Sequence, residues 1–198
     1  MRKGLVVLSF LALMGGDSLV LAADNSWFIG GEFGGIHIEP KAKSTDSGKV
    51  YSAKATVNAS YESIKVGKHF DYGRVYGNFG IQNKKKGFSS YAFGLNYDYT
   101  FDVDFPFAPF VGVTAGYAKS KLRDDDFFAN KPDGFYYGAG LGAIYKIDKN
   151  LELEVGARYV GANIKDGGDG IDSWGDYVSD KIEVEDFTQY YLGLNYRF

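Results

Sequence analysis

The chain has 198 residues, with 22 Lys and Arg against 25 Asp and Glu, a net charge of −3, and no cysteine. Such mild acidity offers no basic stripe to neutralise phosphates, which excludes a nucleic-acid partner, and a fold without disulfides must be held by packing and hydrogen bonds alone. Aromatics make up 17% of residues and glycines number 27, a pairing suited to short strands in a tightly curved sheet.

The first 22 residues read as a cleaved secretory signal. Arg2 and Lys3 supply the positive start, Leu5 to Met14 the apolar run, and Val20-Leu21-Ala22 a small-residue cleavage site. Gly15-Gly16-Asp17 breaks the run, so it is too short to cross a bilayer as a helix. Residues 23–198 remain as a single domain, and removing Arg2, Lys3 and Asp17 leaves 20 basic against 24 acidic residues, a net of −4. No later stretch approaches helix-spanning length.

Eight runs then alternate with a period of two. The first, Trp27 to Ile38, sets Trp27, Ile29 and Phe33 against Phe28, Gly30, Glu32 and Gly34. The second, about Ser60 to Phe70, sets Ile64, Val66 and Phe70 against Ser63, Lys65, Gly67 and His69. The third sets Val75, Gly77, Phe79 and Ile81 against Arg74, Tyr76, Asn78, Gly80 and Gln82. In the fourth, Tyr91 to Phe101 at odd positions oppose Ser90, Ala92, Gly94, Asn96, Asp98 and Thr100. The fifth opposes Val111, Val113, Ala115 and Tyr117 to Phe110, Gly112, Thr114 and Gly116. The sixth opposes Tyr137, Leu141, Tyr145 and Ile147 to Tyr136, Gly138, Gly140, Gly142 and Lys146. The seventh opposes Leu151, Leu153, Val155 and Tyr159 to Glu152, Glu154, Gly156 and Arg158. The last, Tyr190 to Phe198, opposes Tyr190, Leu192, Leu194, Tyr196 and Phe198 to Tyr191, Gly193, Asn195 and Arg197.

Connections after the second, fourth and sixth runs are short. Those after the first, fifth and seventh are long and polar: Glu39 to Asn58, Lys119 to Asp133 and Gly161 to Glu183. The pattern predicts an all-β fold, an eight-stranded antiparallel up-and-down transmembrane β-barrel with short periplasmic turns and longer external loops. A soluble barrel would also alternate, with its apolar side inward. Here the polar side is small, as a narrow interior requires. The apolar side carries rings near strand ends (Trp27, Phe70, Tyr91, Tyr99, Phe101, Tyr145, Tyr159, Tyr190, Phe198), where aromatic girdles belong. Glu32, Lys65, Arg74, Asp98, Lys146, Glu152, Glu154, Arg158 and Arg197 are therefore expected in the lumen. An eight-stranded interior is just wide enough for side chains to fill. A plug of ion pairs is the preferred reading, a gate in a narrow pore the alternative.

With these strands, the signal and the terminal Phe, the chain resembles the small outer-membrane β-barrel proteins of Gram-negative bacteria: the OmpA transmembrane-domain, OmpX and Opa-like group, often labelled porin family. The resemblance runs from Trp27 to Phe198. It is carried by Trp27-Phe28-Ile29-Gly30-Gly31, by Pro109-Phe110-Val111-Gly112, by Leu151 to Tyr159, and by the final strand. It implies that Tyr190, Leu192, Leu194, Tyr196 and Phe198 form the signal read by the outer-membrane assembly machinery. It also implies a monomer in the outer membrane in contact with lipid and lipopolysaccharide, its external loops free for a host or surface ligand. The peptidoglycan-binding domain of OmpA has no counterpart here, so that role is not expected.

Three features invite sharper chemistry. Some outer-membrane barrels are lipid-modifying enzymes that use His with Ser and an acid, but His69 falls at the periplasmic end, and no serine motif accompanies His37 beside Glu39. Gly167-Gly168-Asp169-Gly170-Ile171-Asp172 matches the start of a calcium-binding nonapeptide that works by stacking several copies. Asp166, Asp169, Asp172 and Asp176 could at most gather a weak cation, and a flexible acidic loop is preferred. Asp124-Asp125-Asp126 followed by Phe127-Phe128 suggests a contact surface or a folded-over loop. No cofactor, no metal and no catalytic residue is expected. The expected role is a non-enzymatic envelope protein with surface-loop interactions, with a narrow channel for ions or small solutes as the alternative.

Overall fold

The computed structural model describes residues 25–46, 48–85, 88–101, 103, 106–122, 131–171 and 175–198. The signal segment and the Asp124 to Phe128 motif lie outside them.

Ten strands form one antiparallel sheet: β1 (Trp27–Ile38), β2 (Lys41–Asp46), β3 (Lys49–Lys54), β4 (Val57–Phe70), β5 (Gly73–Lys85), β6 (Phe88–Thr100), β7 (Phe107–Leu122), β8 (Asp133–Lys146), β9 (Leu151–Ile171) and β10 (Tyr177–Arg197). Eight of them, β1 and β4 to β10, pair with their chain neighbours, and β10 returns to β1 to close a barrel. The closure runs from Phe28 opposite Arg197 to Ile38 opposite Phe187. At its rim Trp27 and Phe198 exchange both backbone hydrogen bonds, at 3.1 and 2.9 Å. The eight barrel strands are those expected from the alternation; β1 keeps the expected bounds, Trp27 to Ile38, while β9 and β10 run well past theirs.

The side chains of Ile29, Phe33, Ile64, Val66, Phe79, Phe93, Leu95, Val113, Leu141, Val155, Leu192 and Leu194 point away from the axis and are exposed. Ring pairs mark both ends of this band. Tyr99 and Phe101 (5.2 Å) and Phe107 and Tyr145 (5.3 Å) lie at the periplasmic rim, and Tyr117 and Phe135 (5.0 Å) at the external one. Inside, glycine makes room for rings. A Cβ at Gly94 or Gly116 would strike the hydroxyl of Tyr136, and one at Gly156 the ring of Tyr191.

Two of the three long connections, Glu39 to Asn58 and Gly161 to Glu183, are built largely of strand. β9 and β10 continue as a paired ribbon through the predicted loop to Ile171 and Tyr177, with a bulge between Val184 and Asp186. β2 and β3 form a hairpin whose turn holds Gly48 at a φ of 81°. The hairpin adds to the β10 edge, with Asp46 opposite Val178 and Lys41 opposite Glu183.

The physical reason is an exchange of faces. Beyond Phe33, Ile64, Tyr159 and Tyr190 the period of two continues, but polar groups such as His37, Asn58, Asn163, Lys165 and Lys181 turn outward. Ile36, Ile38, Val57, Ala59, Val160, Ile164, Ile182 and Val184 are buried inside. Below the exchange the strands meet lipid; above it they meet water and are patterned like a soluble barrel. Phe198 to Tyr190 is nine residues (198 − 190 + 1), within the 9–11 that a tilted strand needs to cross the hydrocarbon.

Candidate functional site: the lumen

The lumen has two layers. In the periplasmic layer, Glu32 on β1, Lys65 on β4, Arg74 on β5, Asp98 on β6, Glu152, Glu154 and Arg158 on β9, and Arg197 on β10 are all buried. Strand parity puts each of them inside. Their length then lets them reach across the barrel as well as along the wall.

Glu154 is the hub. It takes Lys65 Nζ at 2.7 Å and Arg74 Nη1 at 2.8 Å, and accepts hydrogen bonds from Tyr191 Oη and Asn195 Nδ2, both at 3.0 Å. Glu32 is the second centre. Arg158 grips it with two nitrogens at 2.9 and 2.7 Å, and Ser63 and Lys65 donate to it at 2.9 and 3.1 Å. Arg74 also donates twice to Asp98, at 2.9 and 2.7 Å. Aromatic faces cover the cations: Arg158 sits 4.1 Å from the ring centre of Tyr191, and Arg74 5.2 Å from those of Tyr76 and Phe110. Nearer the periplasm, Arg197 bonds Glu152 at 3.1 Å and Ser26 at 3.0 Å, while His69 Nε2 lies 3.5 Å from Glu152.

Eight of the nine charged residues expected in the lumen are thus brought together. Lys146 is not: it is exposed. As the last residue of β8, next to the Ile147–Leu151 turn, it stands where the wall no longer encloses it. With Lys146 outside, four cations face four anions.

The external layer is largely apolar, with Gln82 and Gln189 buried in its wall. Ile36, Ile38, Val57, Ala59, Tyr61, Ala118, Tyr136, Val160, Ile164, Val184 and Phe187 pack as one cluster. A chain of polar contacts joins the two layers, with Asn78 donating to Tyr61 at 3.2 Å and Asn96 to Asn78 at 2.8 Å. Sequence parity already put Tyr76, Asn78, Asn96, Tyr191 and Asn195 on the inner face. Their place in the network was missed because they carry no charge.

Elsewhere, the flexible acidic loop preferred for the Gly167 segment is corrected to strand. Gly167 to Ile171 is regular β9 strand paired with β10, so Asp166 and Asp169 project to opposite faces and cannot share an ion. Asp166 instead accepts the backbone N–H of Lys131 at 2.8 Å; Asp172 lies outside the described residues. Among the described residues no group of three His, Cys, Asp or Glu could hold a metal. His37 Nδ1 is 2.6 Å from Asn58 Oδ1, and its Nε2 is 3.5 Å from Glu39.

A family model of the outer membrane protein β-barrel domain matches residues 7–198. The chain belongs to the outer membrane protein β-barrel domain family. It is a protein of the Gram-negative outer membrane, and the outward apolar band is its contact with lipid. Among solved structures it is similar to Neisserial surface protein A (NspA), at 16% identity and a TM-score of 0.60 over 87% of this chain and 97% of that one. It is also similar to OprG from Pseudomonas aeruginosa (14%, TM-score 0.65, 88% and 96% covered) and to outer membrane protein AlkL, solved in DMPC bilayers (18%, TM-score 0.56, 93% and 97% covered). At such identities the likeness shows the fold. No curated protein matches the chain by sequence.

Proposed function

We propose that this barrel is a non-enzymatic, non-conducting envelope protein that works through the strands it raises above the membrane. The observation that carries the reading is the double closure of the lumen. Four buried cations meet four buried anions in the periplasmic layer, and an apolar cluster packs above them. An ion entering from outside would lose its hydration shell in the apolar layer before meeting the charged one.

The partners that fit are outer-membrane lipid and lipopolysaccharide along the wall, the assembly machinery at the C-terminal strand, and a host or surface ligand at the external sheet. That sheet is formed by β9, β10 and the β2–β3 hairpin. Planar-bilayer recording of the purified protein is expected to show no steady steps. Steady conductance in the wild type, raised by Arg158→Ala, would overturn the closed lumen and favour the narrow channel.

A further inference from the structure

Where β1 lies between β4 and β10, a groove of about 530 Å³ opens on the outside of the barrel, lined by Gly35, Ile36, His37, Asn58, Ala59, Thr188 and Tyr190. The register explains it. Gly35 sits between Ser60 and Tyr190, and one step higher His37 sits between Asn58 and Thr188. A Cβ at Gly35 would meet nothing within 4 Å, so the glycine forms the groove's open floor.

Height decides what meets this groove. It lies where the outward face changes from apolar to polar, the level of the external hydrocarbon boundary. Directly below it on the same three strands run Phe33, Ile64, Val66, Leu192 and Leu194, all exposed. On β1 and β10 the groove is therefore continuous with the lipid-facing band, with hydrogen-bonding groups above and hydrocarbon below, while on β4 the exposed Glu62, opposite Phe33, stands between Asn58 and Ile64. An amphiphile standing in the outer leaflet matches that order.

The lining narrows the headgroup. It offers an imidazole held by Asn58, an amide, a hydroxyl and the Tyr190 ring, with Glu39 nearby and no lysine or arginine among the lining residues. Neutral donors and acceptors beside an aromatic face suit the hydroxyls and ring of a sugar better than a bare phosphate, which calls for cationic partners. We infer that the groove at Gly35 and His37 holds the sugar headgroup of an outer-leaflet glycolipid, its acyl chains lying along Phe33, Ile64 and Leu192.

The inference rests on outer-leaflet lipid being a partner of this barrel, and it is independent of whether the lumen conducts. Native mass spectrometry of the whole protein, released from micelles doped with purified lipid A or with phosphatidylglycerol, tests it. The wild type is expected to retain lipid A adducts in preference to phosphatidylglycerol. Gly35→Leu, which fills the floor, and His37→Ala should each lower lipid A retention about tenfold. Gly77→Leu, on the lipid face away from the groove, should leave it unchanged. Equal lipid A retention in wild type, Gly35→Leu and His37→Ala overturns the site. Equal retention of both lipids by the wild type overturns glycolipid selectivity and leaves an unselective lipid belt.

Discussion

At the scale of single residues, Glu154 concentrates more of the fold than any other side chain in the lumen. Two cations and two neutral donors converge on one carboxylate with no water-exposed surface. Removing one partner of a buried network leaves the others charged and unpaired, which costs about 3–5 kcal/mol. Glu154→Ala is expected to lose stability on that order in urea unfolding of the refolded barrel. An unchanged midpoint would show that Lys65 and Arg74 find other partners. The sequence made the presence of these charges legible, because inward parity is a local property. It did not reveal who pairs with whom: Lys65 reaches Glu154 across 89 positions of chain, through a curvature that no spacing of two encodes.

At the scale of elements, the hairpin of β2 and β3 is tied to β10 by an ion pair between Lys41 and Glu185, outside the membrane. The hydrogen bond from Lys41 holds the Glu185 carboxyl below its usual range, and the same bond raises Lys41. For Glu185 the tether is present above the ordinary value of 4.5 and is lost as pH falls through the lowered one. For Lys41 it is complete below the ordinary 10.5 and fades as pH rises through the raised value. NMR shifts of β2 amides should therefore hold steady between those limits, move on acidification, and lose the acid limb in Glu185→Gln. Because both groups are exposed, salt should weaken the effect. The hairpin and the long ribbon were hard to read for one reason. The apolar outward positions stop at Tyr159 and Tyr190, where water replaces lipid and the faces exchange.

The last strand belongs to the same scale. Its outward side chains Tyr190, Leu192, Leu194, Tyr196 and Phe198 are all exposed, so none fills the core. The proposal that they act as an assembly signal separates insertion from stability. Phe198→Ala keeps the backbone bonds to Trp27 and should refold in detergent with an unchanged unfolding midpoint, while its yield in the outer membrane of cells falls. Equal yields would sink the signal.

For the whole molecule, closure and orientation were legible because they rest on features repeated eight times: alternation, small inward residues and rings at strand ends. The layered interior was not. An apolar lumen above a charged one requires knowing where each strand leaves the membrane, and the packing of Ile36, Val160 and Val184 into one cluster discloses it.

The ribbon of β9 and β10 has a further consequence. From Gly161 to Ile171, eleven residues (171 − 161 + 1) of β9 stand above the exchange of faces, a rise of roughly 25–35 Å at ordinary strand spacing and tilt. A ribbon of that length holds the paired Ile171 and Tyr177 well above the lipid surface. Whatever meets those two residues need not approach the lipid at all, so the far end of the ribbon and the lipid-facing band can be altered independently of one another.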